Sequence, residues 1–114
     1  MATSDFVIVL TTFPADVEAV RTFAMTIVQE RLAACVSVQS EMRSVYTWRG
    51  ALEQDVERQV VIKTTSARLA ALRDRVLALH PYDVPEFLVI PVIDGSDAYL
   101  KWMRDCTREG EEGE

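Results

Sequence analysis

Few side chains in these 114 residues are equipped for chemistry, and their types narrow it quickly. His80 is the only histidine, so one chain cannot build an HxxH or a two-Cys-two-His metal set. It stands at a helix end before Pro81, with Asp83 and Glu86 following closely. If several copies meet at an axis, His80 with Glu86 or Asp83 is multiplied into an imidazole and carboxylate set. Such a set suits borderline divalent ions better than Cu(I). Cys35 is the soft ligand to consider, although a free cysteine at a strand start is more often a small buried core residue. Cys106, near the end of the chain, has less claim. Lys63 interrupts the apolar run Val60-Val61-Ile62 and calls for a partner, for which Glu86 is the candidate. With Trp48 and Tyr82 that pair would line a cleft for a small anion, the alternative being a salt bridge at the rim. Tyr46 and Trp48 also read as interface anchors, because aromatic residues carry much of an interface's energy. There is no Gly-rich phosphate loop, and no base stands beside Ser40, Ser44 or Ser66. Nothing here reads as an enzyme.

The elements that must position these residues follow from periodicity and breakers. Phe6 to Phe13 is β-branched and apolar, a strand ended by Pro14. Pro14 suits the first turn of a helix of about 18 residues, whose stripe is Val17, Val20, Ala24, Ile27 and Val28. An extended arm, Ala33 to Trp48, turns at Arg49-Gly50 and returns from Leu52 to Thr65. The alternation loses phase around Gln39 to Arg43, which predicts a bulge. An arm of this length reaches ~50 Å, against about 17–20 Å for an ordinary strand, so the hairpin must project. A second helix, Ala67 to Leu79, has Thr65 or Ser66 as N-cap and ends before Pro81. Tyr82 to Pro85 form a loop. Phe87 to Ile93 form a strand interrupted by Pro91, and Ala98 to Arg108 a short terminal helix.

The order β-α-β-β-α-β plus a helix describes an α+β, ferredoxin-like sandwich with a long β2–β3 hairpin and both main helices on one sheet face. Yet Phe6 to Leu10, Val60 to Ile62 and Phe87 to Ile90 are apolar on both faces. The second face needs cover, and further copies of the chain are the economical source. Residues 1–108 read as one domain and 109–114 as a disordered acidic tail. Four of the eighteen acidic residues lie in that tail, so the remaining body carries fourteen acids against twelve bases. A nearly neutral body lacks the basic footprint that nucleic acid demands. Apolar runs far below about 20 residues predict no membrane span. Two cysteines without a disulfide pattern, and no charged-then-apolar leader, point to the cytoplasm.

Five segments then carry a resemblance. They are Glu30-Arg31-Leu32-Ala33-Ala34-Cys35, Ser44-Val45-Tyr46-Thr47-Trp48-Arg49-Gly50, Val61-Ile62-Lys63-Thr64-Thr65, His80-Pro81-Tyr82-Asp83-Val84-Pro85-Glu86 and Tyr99-Leu100-Lys101-Trp102. In order and spacing they resemble the CutA divalent-cation tolerance family, from Phe6 to Arg108. The resemblance implies a ferredoxin-like subunit and a cytoplasmic homotrimer assembled through the long hairpins. It also implies a link to divalent-metal tolerance, copper above all, and does not imply an organic cofactor. The family is similar in architecture to PII-type trimers, which bind small effectors between subunits. Some members carry a cysteine where this chain has Thr11, and a first of two histidines where it has Leu79. A copper site built on those positions keeps one of its three ligands here. The leading expectation is a metal-response trimer binding a divalent cation weakly at subunit junctions through His80, Glu86 and Cys35. The alternatives are a sensor whose cleft of Lys63, Trp48, Tyr82 and Glu86 holds a small anionic effector, and a structural trimer that docks a partner protein.

Overall fold

The computed structural model describes residues 4–109. Of the expected acidic tail, residues 110–114 lie outside the described residues. The elements are β1 (Phe6–Pro14), α1 (Val17–Gln29), β2 (Cys35–Trp48), β3 (Ala51–Thr65), α2 (Leu69–Leu79, entered by a 3-10 turn over Ser66–Arg68), β4 (Leu88–Pro91) and α3 (Asp97–Cys106). The strands form one antiparallel, ferredoxin-like sheet in the order β2-β3-β1-β4. Val7, Val9 and Phe13 of β1 and Val60 and Ile62 of β3 face one side. Val20, Phe23 and Ile27 of α1 and Leu72 and Val76 of α2 close over them. Each such side chain, fully buried, contributes roughly 1.5–3 kcal/mol. Among the described residues no helix is long and apolar enough to cross a membrane.

Several boundaries differ from expectation for local reasons, and neither Thr65 nor Ser66 caps α2 with its side chain. β1 runs through Pro14, which pairs with Glu57 at the strand's last position, where a missing N–H interrupts no inner ladder. The helix therefore starts later and has 13 residues, because Asp16 is its N-cap and accepts from the N–H groups of Glu18 and Ala19 at 3.0 and 3.3 Å. β4 is four residues long and ends at Pro91, as an edge strand can. At the end of α1, Arg31 has φ 60, and the N–H groups of Arg31 and Leu32 bond to the carbonyls of Val28 and Ile27. This is a Schellman close with arginine where glycine is usual. The arginine side chain compensates by donating to the carbonyls of Arg108 and Asp105 at 2.9 and 2.5 Å, which ties α1 to the end of α3.

The expected bulge lies between Val38 and Glu41. One extra residue on β2 reverses which of its side chains face which side. Before it Cys35 and Ser37 lie on the face away from α1 and α2; after it Met42, Ser44, Tyr46 and Trp48 do, opposite Glu57, Asp55, Glu53 and Ala51. Arg58 holds the bulge, donating to the carbonyls of Gln39 at 3.2 Å and Ala15 at 2.9 Å. The hairpin closes through Arg49 (φ 52) and Gly50 (φ 82), the positive-φ pair a two-residue turn requires. On the sheet's second face α3 covers only one end, where Met103 packs with Phe6 and Ala34. Leu88 and Ile90 beside Leu10 and Ile8 stay 56% and 44% exposed.

Candidate functional site

The segment after α2 crosses from the core to this open face, and His80 anchors the crossing. The backbone N–H of Tyr82 donates to Nδ1 of His80 at 3.1 Å, so the ring proton resides on Nε2. That Nε2–H donates to the carbonyl of Thr12 at 2.6 Å. The ring packs against Phe13 and Tyr82 with centroids 4.4 and 4.8 Å away. Burial holds its pKa below the ordinary imidazole value. Neither nitrogen keeps a lone pair for a metal, so within one subunit His80 is a structural residue. The ligand expectation overlooked that an imidazole before proline, at an extended helix end, turns inward to cap an unpaired strand carbonyl.

Beyond His80 the segment lies along the projecting hairpin and encloses a groove of about 780 Å³. Tyr82 donates its phenolic hydrogen to Glu57 at 3.1 Å. Its pKa rises well above the usual phenol range, first through burial and then through the charge of Glu57. Across the hairpin, Tyr46 donates to Asp55, and that bond pushes its pKa up to about 12. Gln59 donates through Nε2 to Glu86 at 2.9 Å and to the carbonyl of Thr11 at 2.7 Å. Four carboxylates, Asp55, Glu57, Asp83 and Glu86, line the groove, and no lysine, arginine or histidine does. Among the described residues none of the four is in an ion pair. Trp48 adds a large ring, 41% exposed.

Trp48, Tyr82 and Glu86 thus line one groove of a single subunit. Lys63 does not, and its pairing with Glu86 is not made. Lys63 lies four residues from Gln59 along β3, ~13 Å away, where its ammonium sits 5.7 Å from the centre of the Tyr99 ring. Glu86 is instead held by a neutral donor. Cys35 is the cross-strand neighbour of Lys63. Its sulfur is partly exposed, 3.8 Å from the Ser37 hydroxyl, and lies outside the groove. Cys106 packs at the α3 end of the sheet. Thr11 is fully buried in the core, and Leu79 is partly exposed on α2. Among the described residues no group of three His, Cys, Asp or Glu side chains is placed to hold a metal ion. The residues missed from the sequence are Asp55 and Glu57. Their signal was the stripe Glu53, Asp55, Glu57, acids at every second position of a strand and so on one face.

Comparison with known proteins agrees with this architecture. The "Divalent-cation tolerance protein CutA" of Thermus thermophilus is 43% identical over 100 residues, covering 88% of this chain and 96% of that one. The solved structure of the Thermus thermophilus protein superposes with a TM-score of 0.86 at 42% identity, covering 90% of this chain and 99% of that chain. CutA1 from the psychrotroph Shewanella sp. SIB1, a protein described as stable, gives 0.89 at 32% identity, covering 93% and 98%. Residues 7–106 match the family described as CutA1 divalent ion tolerance protein, and the chain belongs to that family.

Proposed function

We propose that this chain acts in divalent-cation tolerance as a non-catalytic, cytoplasmic homotrimer that gathers divalent cations, copper among them, weakly at grooves completed by a neighbouring subunit. The observation that carries this reading is the sign of the groove: four carboxylates and no basic side chain in its lining. A low-dielectric cleft of one charge sign concentrates counter-ions. The same sign weighs against an anionic effector, whose one candidate cation, Lys63, points to Tyr99. Glu86 is the ligand carried forward, with His80 fixing the loop that bears it. Cys35 would join only from another copy.

The hairpin supports a cyclic assembly. Tyr46 and Trp48 are exposed on its groove face, while Val45, Val56 and the 75% exposed Leu52 occupy the opposite face. A two-fold contact covers a single patch, whereas a ring seats each hairpin between two neighbours and covers both. Calorimetric titration of the oligomer with copper(II) and with zinc(II) tests the reading. Weak saturable binding is expected, reduced by Glu86→Gln and unchanged by Lys63→Met. Absence of heat from both ions contradicts it.

A further inference from the structure

The groove's contents suit one kind of dication better than a metal ion. A hard divalent metal wants about six oxygen ligands converging within roughly 2.0–2.6 Å. Among the described residues the four carboxylates form no group of three placed to hold a metal ion, and they line a cavity of about 780 Å³, within the range of small-molecule sites. Asp55, Glu57 and Glu86 are each positioned by a neutral donor, from Tyr46, Tyr82 and Gln59 respectively. None is spent in an ion pair among the described residues. The rings of Trp48, Tyr46 and Tyr82 line the same cavity, and aromatic faces attract cations, as Trp48 already shows by carrying the Arg49 guanidinium 5.5 Å from its centre on one face. Both phenols are raised, Tyr46 first by its bond to Asp55 and Tyr82 first by burial, with the charges of Asp55 and Glu57 adding to each.

Carboxylates and aromatic rings lining one cavity fit an extended organic cation with a charge at each end. We propose that this groove binds a free linear aliphatic diamine or triamine, its ammonium groups on the carboxylates and its methylenes against Trp48 and Tyr82. The inference rests on the cation-selecting groove argued above and assigns it a ligand class. A diammonium ion needs no convergent ligand set. Each ammonium donates three hydrogen bonds to whatever oxygens it meets, and its apolar chain gains from the rings what a hydrated metal cannot.

The test is calorimetry of the intact oligomer with spermidine, with a lysine-rich peptide and with copper(II) in separate titrations. Saturable spermidine binding at one site per subunit is expected, weakening as salt rises. Glu86→Gln should weaken it about tenfold by removing a charge-assisted bond, and Trp48→Leu about three- to fivefold by removing a cation–π face. Mass measurement confirms that each variant keeps its assembly, and the substitution at Glu86 serves where Trp48→Leu does not. No spermidine heat, or equal affinity in both variants, overturns the inference. Binding of the peptide alone overturns the free-amine assignment in favour of a protein partner. Copper(II) heat without spermidine heat overturns it while leaving the metal reading intact, and silence from both removes the two together.

Discussion

Thr11 sits at zero exposure, and its hydroxyl has no hydrogen-bond partner among the described residues. A buried unsatisfied hydroxyl costs about 1–3 kcal/mol. Thr11→Val keeps the shape and removes that cost, so it should stabilise by about 1 kcal/mol, read as a rise of roughly 3–5 °C in Tm. His80 is the opposite case, a polar group whose every bond is made. Because burial lowers its pKa in the fold, the unfolded chain binds its proton more readily. The stability this neutral ring supplies is complete above about pH 6.5, the unfolded imidazole value, and declines as pH falls through it. The stability difference between wild type and His80→Gln should therefore shrink from pH 7 to 5.5 in denaturant titrations. A constant difference would show that the ring is not held neutral.

Arg58 decides the geometry of the hairpin from outside the groove. Its two bonds fix the bulge carbonyl of Gln39 to the end of β1 at Ala15, and the bulge alone sets Tyr46 and Trp48 on the side of Asp55 and Glu57. Arg58→Met should cost about 1–3 kcal/mol in chemical denaturation and blunt cation binding without touching a lining residue. Arg31→Gly sets two effects against each other. It relieves a left-handed residue, worth about 1 kcal/mol, and severs two charge-assisted bonds to α3, worth about 1.5–3 each. Net loss is expected, with faster amide exchange confined to α3. Most of this scale was legible in the residues. The two-residue turn at Arg49-Gly50, the lost phase before Arg43, and the stop at His80-Pro81 each left a local signature. The start of α1 was misplaced because Pro14 satisfies the rules for a strand's last residue as well as for a helix's first. The groove was half legible. Trp48, Tyr82 and Glu86 stood out by type, whereas Asp55 and Glu57 reach the groove only because the bulge turns their face of the hairpin, with Tyr46 and Trp48, toward the segment that carries Tyr82. Within one subunit Lys63 faces the Tyr99 ring of α3 and not Glu86, a contact that no spacing along the chain encodes.

At the scale of the whole molecule, the sheet that carries the groove is covered by α1 and α2 on one side and by α3 at only one end of the other. Leu88, Ile90 and the hairpin's apolar residues remain exposed in a single subunit, and a patch of this kind is seldom left open by a stable soluble chain. Assembly is therefore central to the account, because in the proposed trimer the hairpin that frames the groove is seated between two neighbours. Sedimentation equilibrium at micromolar concentration tests it most directly. The account predicts about 39 kDa, three times the 12.9 kDa chain, with no folded single subunit populated. A well-folded species of 12.9 kDa would contradict it.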